Sequence, residues 1–293
     1  MAVNRNYKDS VFTKLFNDPG LLRGLYCAIN GISLPPDIPV SINTLEKVMY
    51  MNQYNDISFE IGGKLVILIE HQSTINPNIA LRLLMYIARV LEKTVKGKSL
   101  YSGKRLSIPW PEFYVLYNGQ EPFPDEMIYR LSDLFERPED LGLPKMATPL
   151  LELEARVINI NEGRNEIIVK RCKKLSEYST FIAKTYEYFE EFGDKEEAVN
   201  EAVKFCSKHD ILKEFLEIHG SEVLNMLLEE WNMEDAKEVW QEEAREEGRR
   251  EGLFEGKEEE KLEIARNAMA KGLTVELIQE ITGLTAGKIE KLR

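Results

Sequence analysis

Two acidic residues occupy the arms of one predicted β-hairpin. Asp56 lies in an extended segment, Gly62 and Gly63 form a turn, and the apolar run of residues 65–69 leads directly into Glu70. A carboxylate at the end of an apolar strand is costly to bury unless another charge compensates it. Mg²⁺ suits this position, because it binds carboxylate and carbonyl oxygens and retains water. We therefore predict that Asp56 and Glu70 bind Mg²⁺, for which Mn²⁺ can substitute, and that the ion activates water and stabilises a phosphoryl oxyanion.

The register of the hairpin decides whether the two carboxylates can meet. With a two-residue turn at Gly62 and Gly63, Asp56 lies opposite Ile69 and on the other face from Glu70. With a three-residue turn that contains a glycine bulge, the pairing shifts by one residue and both acids lie on one face. The glycine pair allows either turn, and the metal-site hypothesis requires the second.

The residues that follow Glu70 divide between the two faces of the strand. Glu70 and Gln72 are two positions apart and face the same way, whereas His71 faces the opposite side. We therefore interpret His71 as a structural residue rather than a general base.

Periodicity predicts the elements that position this hairpin. The first part of the chain has mixed helical and extended patterns, and the part beyond about residue 176 is helical and rich in glutamate. The predicted helices cover residues 7–16, 21–30 and 79–95, and the predicted strands cover 47–61, 65–72, 112–117 and 155–161. Glycines at 248, 252 and 256 make the helix over 242–261 marginal, because each glycine costs about 1 kcal/mol relative to alanine.

The last thirty residues have the pattern of a small helix-turn-helix unit. Thr274 and Thr285 are predicted N-caps of two short helices, and Gly283 is the turn between them. Leu277, Ile278 and Ile281 are predicted to face inward. Such a unit is typical of DNA binding or of a contact between proteins.

Charge is divided unevenly along the chain. The formal net charge is −12, yet residues 1–175 carry 22 Lys and Arg against 20 Asp and Glu, and residues 176–293 carry 16 against 30. The first part can therefore present a local basic surface to phosphate groups. One basic loop is a weak candidate for DNA contact, with phosphate binding and simple solvation equally open. Its basic residues are Lys93, Lys96, Lys98, Lys104 and Arg105.

The hairpin motif and its surroundings resemble a known family. Asn55-Asp56, the glycine turn, the run from Leu65 through Glu70-His71-Gln72-Ser73, and the segment of residues 80–86 are similar to the Rpn family of recombination-promoting nucleases or transposases. That family belongs to the PD-(D/E)xK nuclease superfamily. Residues 8–16 resemble its N-terminal helix motif, and residues 265–292 resemble its C-terminus.

The resemblance implies a fold and a set of roles. The implied fold is α/β, a restriction-endonuclease-like mixed central sheet flanked by helices, followed by an all-helical C-terminal region. Asp9 becomes a candidate additional acid, and Gln72 takes the position where the superfamily usually has a lysine. Glutamine can hold a water molecule but cannot act as a base or supply positive charge, so Lys64 on the hairpin is considered as a substitute.

We expect three regions: a nuclease-like domain over residues 1–175, an acidic helical region over 176–257 and the helix-turn-helix-like unit over 258–293. The predicted function is a Mg²⁺-dependent DNA endonuclease linked to recombination, DNA mobility or defence. The alternative is a catalytically weak nuclease-fold protein that acts as an oligomeric interaction or regulatory module. RNA cleavage by the same site also stays open, because metal-held phosphate chemistry does not itself read the 2′-OH.

Composition bears on the location and partners of the chain. The N-terminus lacks the apolar stretch of a signal peptide, and no window approaches about 18 apolar residues, so we expect a cytoplasmic protein without a membrane span. Cys27, Cys172 and Cys206 are far apart and include no CxxC pair, which excludes a disulfide scaffold or zinc finger as the organising feature. DNA is the expected partner, and the C-terminal helices are a candidate surface for homo-oligomerisation.

Overall fold

The fold is built around one mixed sheet of six strands. The computed structural model describes residues 10–43, 56–95, 100–101, 103–142, 144, 148–271 and 273–291, and it describes Asp56 through its backbone. The strands are β1 (Val40–Ile42), β2 (Asp56–Ile61), β3 (Leu65–Gln72), β4 (Trp110–Tyr117), β5 (Glu126–Arg130) and β6 (Glu154–Asn159). Their order across the sheet is β1-β2-β3-β4-β6-β5.

The central strands of the sheet are parallel and its outer pairs are antiparallel. β3 pairs with β4 and β4 with β6 in parallel, whereas β1–β2, β2–β3 and β5–β6 are antiparallel. Helix α3 (Ile79–Val95) connects the parallel strands β3 and β4. A helical crossover is the usual connection between parallel neighbours, because the chain must return to the other end of the sheet before the next strand begins. The helix therefore begins near the C-terminal end of β3 and ends near the N-terminal end of β4.

One face of the sheet is covered by α3. Val66 and Leu68 of β3 pack in one apolar cluster with Ile79, Leu83 and Tyr86 of the helix. The helix begins after Asn76, whose side-chain Oδ1 accepts a hydrogen bond from the backbone N–H of Asn78 at 2.9 Å. This packing fixes the first turn of α3 against the end of β3.

The opposite side of the sheet contains the two N-terminal helices, since Phe12 stacks on His71 of β3 and Tyr26 contacts Tyr114 of β4. Helix α1 (Val11–Phe16) begins at Ser10, whose hydroxyl accepts from the N–H of Thr13. Helix α2 (Pro19–Asn30) begins at Asp18, which accepts from the N–H of Leu21, with proline in the first turn. The sequence 17–20, which interrupts the apolar pattern, is therefore a helix start.

The remainder of the chain is helical. The helices are α4 (Glu166–Arg171), α5 (Lys173–Phe192), α6 (Lys195–Lys208), α7 (Lys213–Ala270), α8 (Val275–Thr282) and α9 (Ala286–Glu290). The chain divides into two compact units, Met1–Glu230 and Trp231–Arg293. Helices α4, α5 and α6 thus belong to the same unit as the sheet.

The second unit has a small core of its own. Its buried members are Ala265 at the end of α7, Ile278 of α8, Leu284 in the turn and Ile289 of α9. Gly283 has φ +69°, a left-handed conformation in which glycine carries no steric penalty. The predicted turn at Gly283 and the helix starts at Thr274 and Thr285 are confirmed, but neither threonine side chain makes a capping hydrogen bond.

The fold class agrees with the sequence, and several details differ. A mixed sheet with flanking helices and a helical C-terminal region is present, and α3 has the predicted bounds. Strands β1 and β5 were not predicted, because they are short edge strands without a clear period. Leu277 and Ile281 are 45% and 57% exposed, so the prediction that they face inward is wrong; on α8, Ile278 is the one of the three that the small core buries.

The glycines of α7 do not break it, since the helix runs without interruption from Lys213 to Ala270. The three-region division at residues 175 and 257 stays a prediction. In the part of the chain that the structure describes, no helix combines the length and the apolar character needed to cross a membrane.

Candidate metal centre

The hairpin has the register that the metal-site hypothesis requires. Ile61 pairs with Leu65, so the turn contains three residues, and Asp56 is the direct cross-strand partner of Glu70. Gly62 and Gly63 have φ +59° and +64°, and two successive left-handed residues are accessible at low cost to glycine. Directly opposite residues of an antiparallel pair lie on the same face with Cβ atoms about 4.5–5.5 Å apart. Both acidic residues therefore share a face at the C-terminal end of β3.

The carboxylate of Glu70 is buried and paired with a cation. Its side chain is 2% exposed, and its Oε1 lies 2.8 Å from Nη1 of Arg82, whose side chain is 21% exposed. Arg82 is in the first turn of α3, on the helix that covers this face. A buried carboxylate is tolerated when a cation donates a hydrogen bond to it. The compensation that the sequence led us to assign to a metal alone is thus supplied in part by Arg82.

Sequence reasoning missed the role of Arg82. A weak signal was present, since Arg82 lies in a largely apolar stretch of helix, and an arginine that is buried is almost always paired. The identity of that acid depends on the way α3 packs on β3, which periodicity does not reveal.

Lys64 cannot replace the lysine that the superfamily usually has at the position of Gln72. It lies in the turn, six residues before Glu70, and a strand rises about 3.3 Å per residue, which separates them by about 20 Å. A lysine side chain is much shorter than this distance. The expectation that Lys64 substitutes for the missing lysine is therefore wrong.

Gln72 lies on the same face as Glu70 and is 8% exposed. Its backbone is held tightly, because its carbonyl oxygen accepts from the N–H of Asn118 at 3.1 Å, just beyond β4. The next residue, Ser73, approaches Gly119 so closely that a Cβ on that glycine would lie 1.7 Å from the Ser73 carbonyl oxygen. The end of β3 is thus fixed by backbone contacts that require glycine at 119.

His71 lies on the opposite face and belongs to an aromatic cluster. Its ring stacks on Phe12 with centroids 4.8 Å apart, and its Nε2 is 3.0 Å from the hydroxyl of Tyr178. Complete burial lowers the pKa of His71 from 6.5 to about 3, because desolvation disfavours the charged ring. The ring is therefore neutral at physiological pH. The structural interpretation of His71 agrees with this position.

Among the described residues of the basic loop, Lys93 is not brought next to Glu70. Lys93 lies in the last turn of α3, eleven residues after Arg82, which is about 16 Å along the helix. Lys104 and Arg105 are exposed and belong to the connection that leads to the start of β4. Asp9, Lys96 and Lys98 lie outside the described residues. The roles assigned to all of these residues stay predictions.

The donor set fits a hard divalent cation. Asp56 and Glu70 occupy partner positions, and Gln72 is on the same face; carboxylate and amide oxygens are the ligands that Mg²⁺ prefers. Among the side chains that the structure describes, no group of three or more His, Cys, Asp or Glu forms a metal cluster. Mg²⁺ does not need one, because it commonly binds one or two carboxylates and keeps several waters.

Comparison of the chain with family models identifies its family. A model described as "Putative transposase, YhgA-like" matches residues 51–198, half of the 293 residues. A model described as "Rpn/YhgA-like nuclease family, C-terminal HTH domain" matches residues 258–293. The chain belongs to the Rpn/YhgA-like family. Comparison with curated proteins and with solved structures gave no significant match.

The two matches coincide with the two features described above. The first contains Asp56, Glu70 and Gln72, and the second contains helices α8 and α9. The predicted family resemblance is confirmed. Membership associates the chain with nuclease or transposase-related function.

Proposed function

We propose that the chain is a divalent-metal-dependent DNA endonuclease whose metal ligands are Asp56 and Glu70. The observation that carries this proposal is the direct pairing of Asp56 with Glu70 across the hairpin. Two acids on one face, one of them buried at the end of a strand, are suited to an ion of high charge density. Mg²⁺ is the expected ion, and Mn²⁺ can replace it because it also favours oxygen ligands.

The residues around the acids have complementary roles. Glu70 is held by Arg82, and its burial keeps bulk water from competing for the carboxylate. Gln72 offers an amide that can donate and accept hydrogen bonds, so it can orient a water molecule but cannot take its proton. A bound Mg²⁺ supplies the remaining chemistry, because it lowers the pKa of water and stabilises charge on a phosphoryl oxygen.

Two surfaces support DNA as the substrate. The C-terminal unit matches a domain described as HTH. Lys93 in the last turn of α3, and the exposed Lys104 and Arg105 in the connection to β4, offer positive charge. The 16 Å or so between Arg82 and Lys93 corresponds to about five base pairs at 3.4 Å each. A duplex that follows α3 can therefore span the helix from the turn that carries Arg82 to the turn that carries Lys93. Phosphate contacts of this kind position DNA without reading its sequence.

The experiment is cleavage of supercoiled plasmid with Mg²⁺, compared between the wild type, Asp56→Asn and Glu60→Gln. Glu60 is the matched control, since it lies on the same strand and face four residues away, opposite Val66. We expect Asp56→Asn to abolish nicking and Glu60→Gln to retain it. Nicking by Asp56→Asn at the wild-type rate, or wild-type nicking that persists after chelation of divalent ions, would refute the proposal.

Three observations favour a second candidate, an interaction or regulatory module with a nuclease fold. The charge of Glu70 is already balanced by Arg82 without a metal, and Gln72 stands where a lysine is usual. Exposed Leu277 and Ile281, four residues apart on α8, provide an apolar surface for self-association or for a partner. A chain that neither binds Mn²⁺ nor cleaves DNA, yet loses self-association when both residues are changed to Ser, would support this candidate.

A further inference from the structure

We propose that Arg82 is a positioning residue for Glu70, fixing its carboxylate in the orientation in which it binds the divalent cation. Nη1 of Arg82 lies 2.8 Å from Oε1 of Glu70, and both side chains are shielded by the packing of α3 on the sheet. This inference rests on the proposed function and gives a role to a residue that lies outside the hairpin.

A rigid element carries the guanidinium. Arg82 lies in the first turn of α3, and its neighbour Leu83 packs with Val66 and Leu68 of β3. The helix start is fixed in turn by the side chain of Asn76. The separation between Arg82 and the end of β3 is therefore set by helix–sheet packing and not by a flexible loop.

The ion pair and a metal ion can use the same carboxylate. A carboxylate has two oxygens and about four positions for hydrogen-bond donors or cations, and the contact with Arg82 is made at Oε1. The guanidinium keeps its positive charge throughout the pH range in which proteins are folded. Arg82 thus supplies, from α3, a permanent positive charge at the site that Gln72 cannot supply from β3.

Two other roles for Arg82 predict different effects of its removal on metal binding. If Arg82 only balances the buried charge of Glu70, its removal leaves an extra negative charge, and Coulomb attraction makes cation binding tighter. If Arg82 contacts a DNA phosphate directly, its removal weakens DNA binding and leaves the metal affinity unchanged. A positioning residue differs from both, because its removal weakens the binding of the cation itself.

The experiment measures Mn²⁺ binding by calorimetry and plasmid cleavage by the full chain. The variants are Arg82→Met, Arg82→Lys and the control Arg89→Met. Arg89 lies two turns along the same helix, is 61% exposed and pairs with Glu92 at 3.3 Å. We expect Arg82→Met to lower the affinity for Mn²⁺ by about 10- to 100-fold, the range seen when groups that orient metal ligands are removed. It should lower kcat with an unchanged KM for DNA.

Arg82→Lys should be intermediate, since lysine keeps the charge but not the planar fork of donors. Arg89→Met should match the wild type. Circular dichroism establishes folding; if Arg82→Met does not fold, Mn²⁺ binding by Arg82→Lys weaker than by the wild type supports the inference. Unchanged or tighter Mn²⁺ binding by the folded Arg82 variants overturns it, as does a rise in KM alone.

The same data separate this inference from the proposed function. A wild type that binds Mn²⁺ but does not cleave DNA overturns the proposed endonuclease activity, and the comparison of Mn²⁺ affinities still decides the role of Arg82. A wild type that binds no Mn²⁺ overturns both.

Discussion

The hydroxyl of Tyr178 on α5 lies 3.0 Å from Nε2 of His71 on β3, joining residues 107 positions apart in the sequence. The ring of Phe12 on α1 stacks on the ring of His71. Three elements therefore meet at the residue between Glu70 and Gln72. The strand end that carries the candidate ligands is fixed on one face by this cluster and on the other by Arg82.

Protonation of His71 should make the stability of the chain depend on pH. Its pKa is about 3 when folded, because burial disfavours the charged ring, and 6.5 for an ordinary histidine. Below pH 6.5 the unfolded state binds a proton that the folded state rejects, so the free energy of unfolding decreases as pH falls from 6.5 towards 3. The contribution of His71 to the free energy of unfolding is fully present above pH 6.5 and amounts to a few kcal/mol.

The measurement is urea unfolding between pH 7 and pH 5. This range includes the ordinary pKa of histidine and lies above the ordinary pKa values of the carboxylic acids. His71→Gln should show a smaller decrease in stability over this range than the wild type. It should retain metal-dependent cleavage, since His71 lies on the face opposite Glu70. An identical pH dependence for the two proteins would contradict the prediction.

The pair formed by Arg82 and Glu70 should be strongly coupled in folding. Removal of one partner leaves a buried charge or donor without compensation, which costs about 3–5 kcal/mol. We expect Arg82→Met to be destabilised by roughly this amount, and the double variant with Glu70→Gln to be much more stable than the sum of the two single changes predicts. A double-mutant cycle from urea unfolding, with divalent ions chelated, gives the coupling energy.

The exposed pair formed by Arg89 and Glu92 is the control for this cycle, with side chains 61% and 70% exposed. Its coupling should be about 0.5 kcal/mol or less, as for other surface pairs on one helix. Coupling between Arg82 and Glu70 no greater than this value would show that their contact stabilises the fold no more than an exposed ion pair does.

Gly119→Ala should destabilise the chain and weaken the candidate site. The added Cβ would lie 1.7 Å from the carbonyl oxygen of Ser73 and 2.6 Å from the hydroxyl of Tyr117, so the backbone after Gln72 must move. Overpacking of this kind costs about 1–3 kcal/mol. We expect a lower thermal midpoint and weaker Mn²⁺ binding, measured by circular dichroism and calorimetry.

Gly24→Ala provides the opposite case. Gly24 is inside α2, and its added Cβ would meet nothing within 4 Å. Alanine should stabilise this helix by about 0.5–1 kcal/mol. If Gly119→Ala were as stable as the wild type, the close approach to Ser73 would not constrain the fold.

Much of the local structure around the site follows from short-range patterns. Alternation and apolar runs locate β3, the 3.6-residue period gives α3 its bounds, and the glycine pair locates the turn between β2 and β3. These features depend on neighbours within a few residues, which the sequence lists in order. Short edge strands such as β1 and β5 depend on pairing with distant segments, so they lack an equally clear local signal.

The sequence by itself determined that Asp56 and Glu70 lie on adjoining arms of one hairpin and that Gln72 faces the same side as Glu70. It left open whether the turn has two or three residues, because two glycines can adopt either. The pairing of β2 with β3 in the folded chain has the three-residue turn. Only the tertiary structure placed Arg82 against Glu70. A contact between a helix and a strand depends on how their surfaces pack in three dimensions, and no spacing along the chain encodes it.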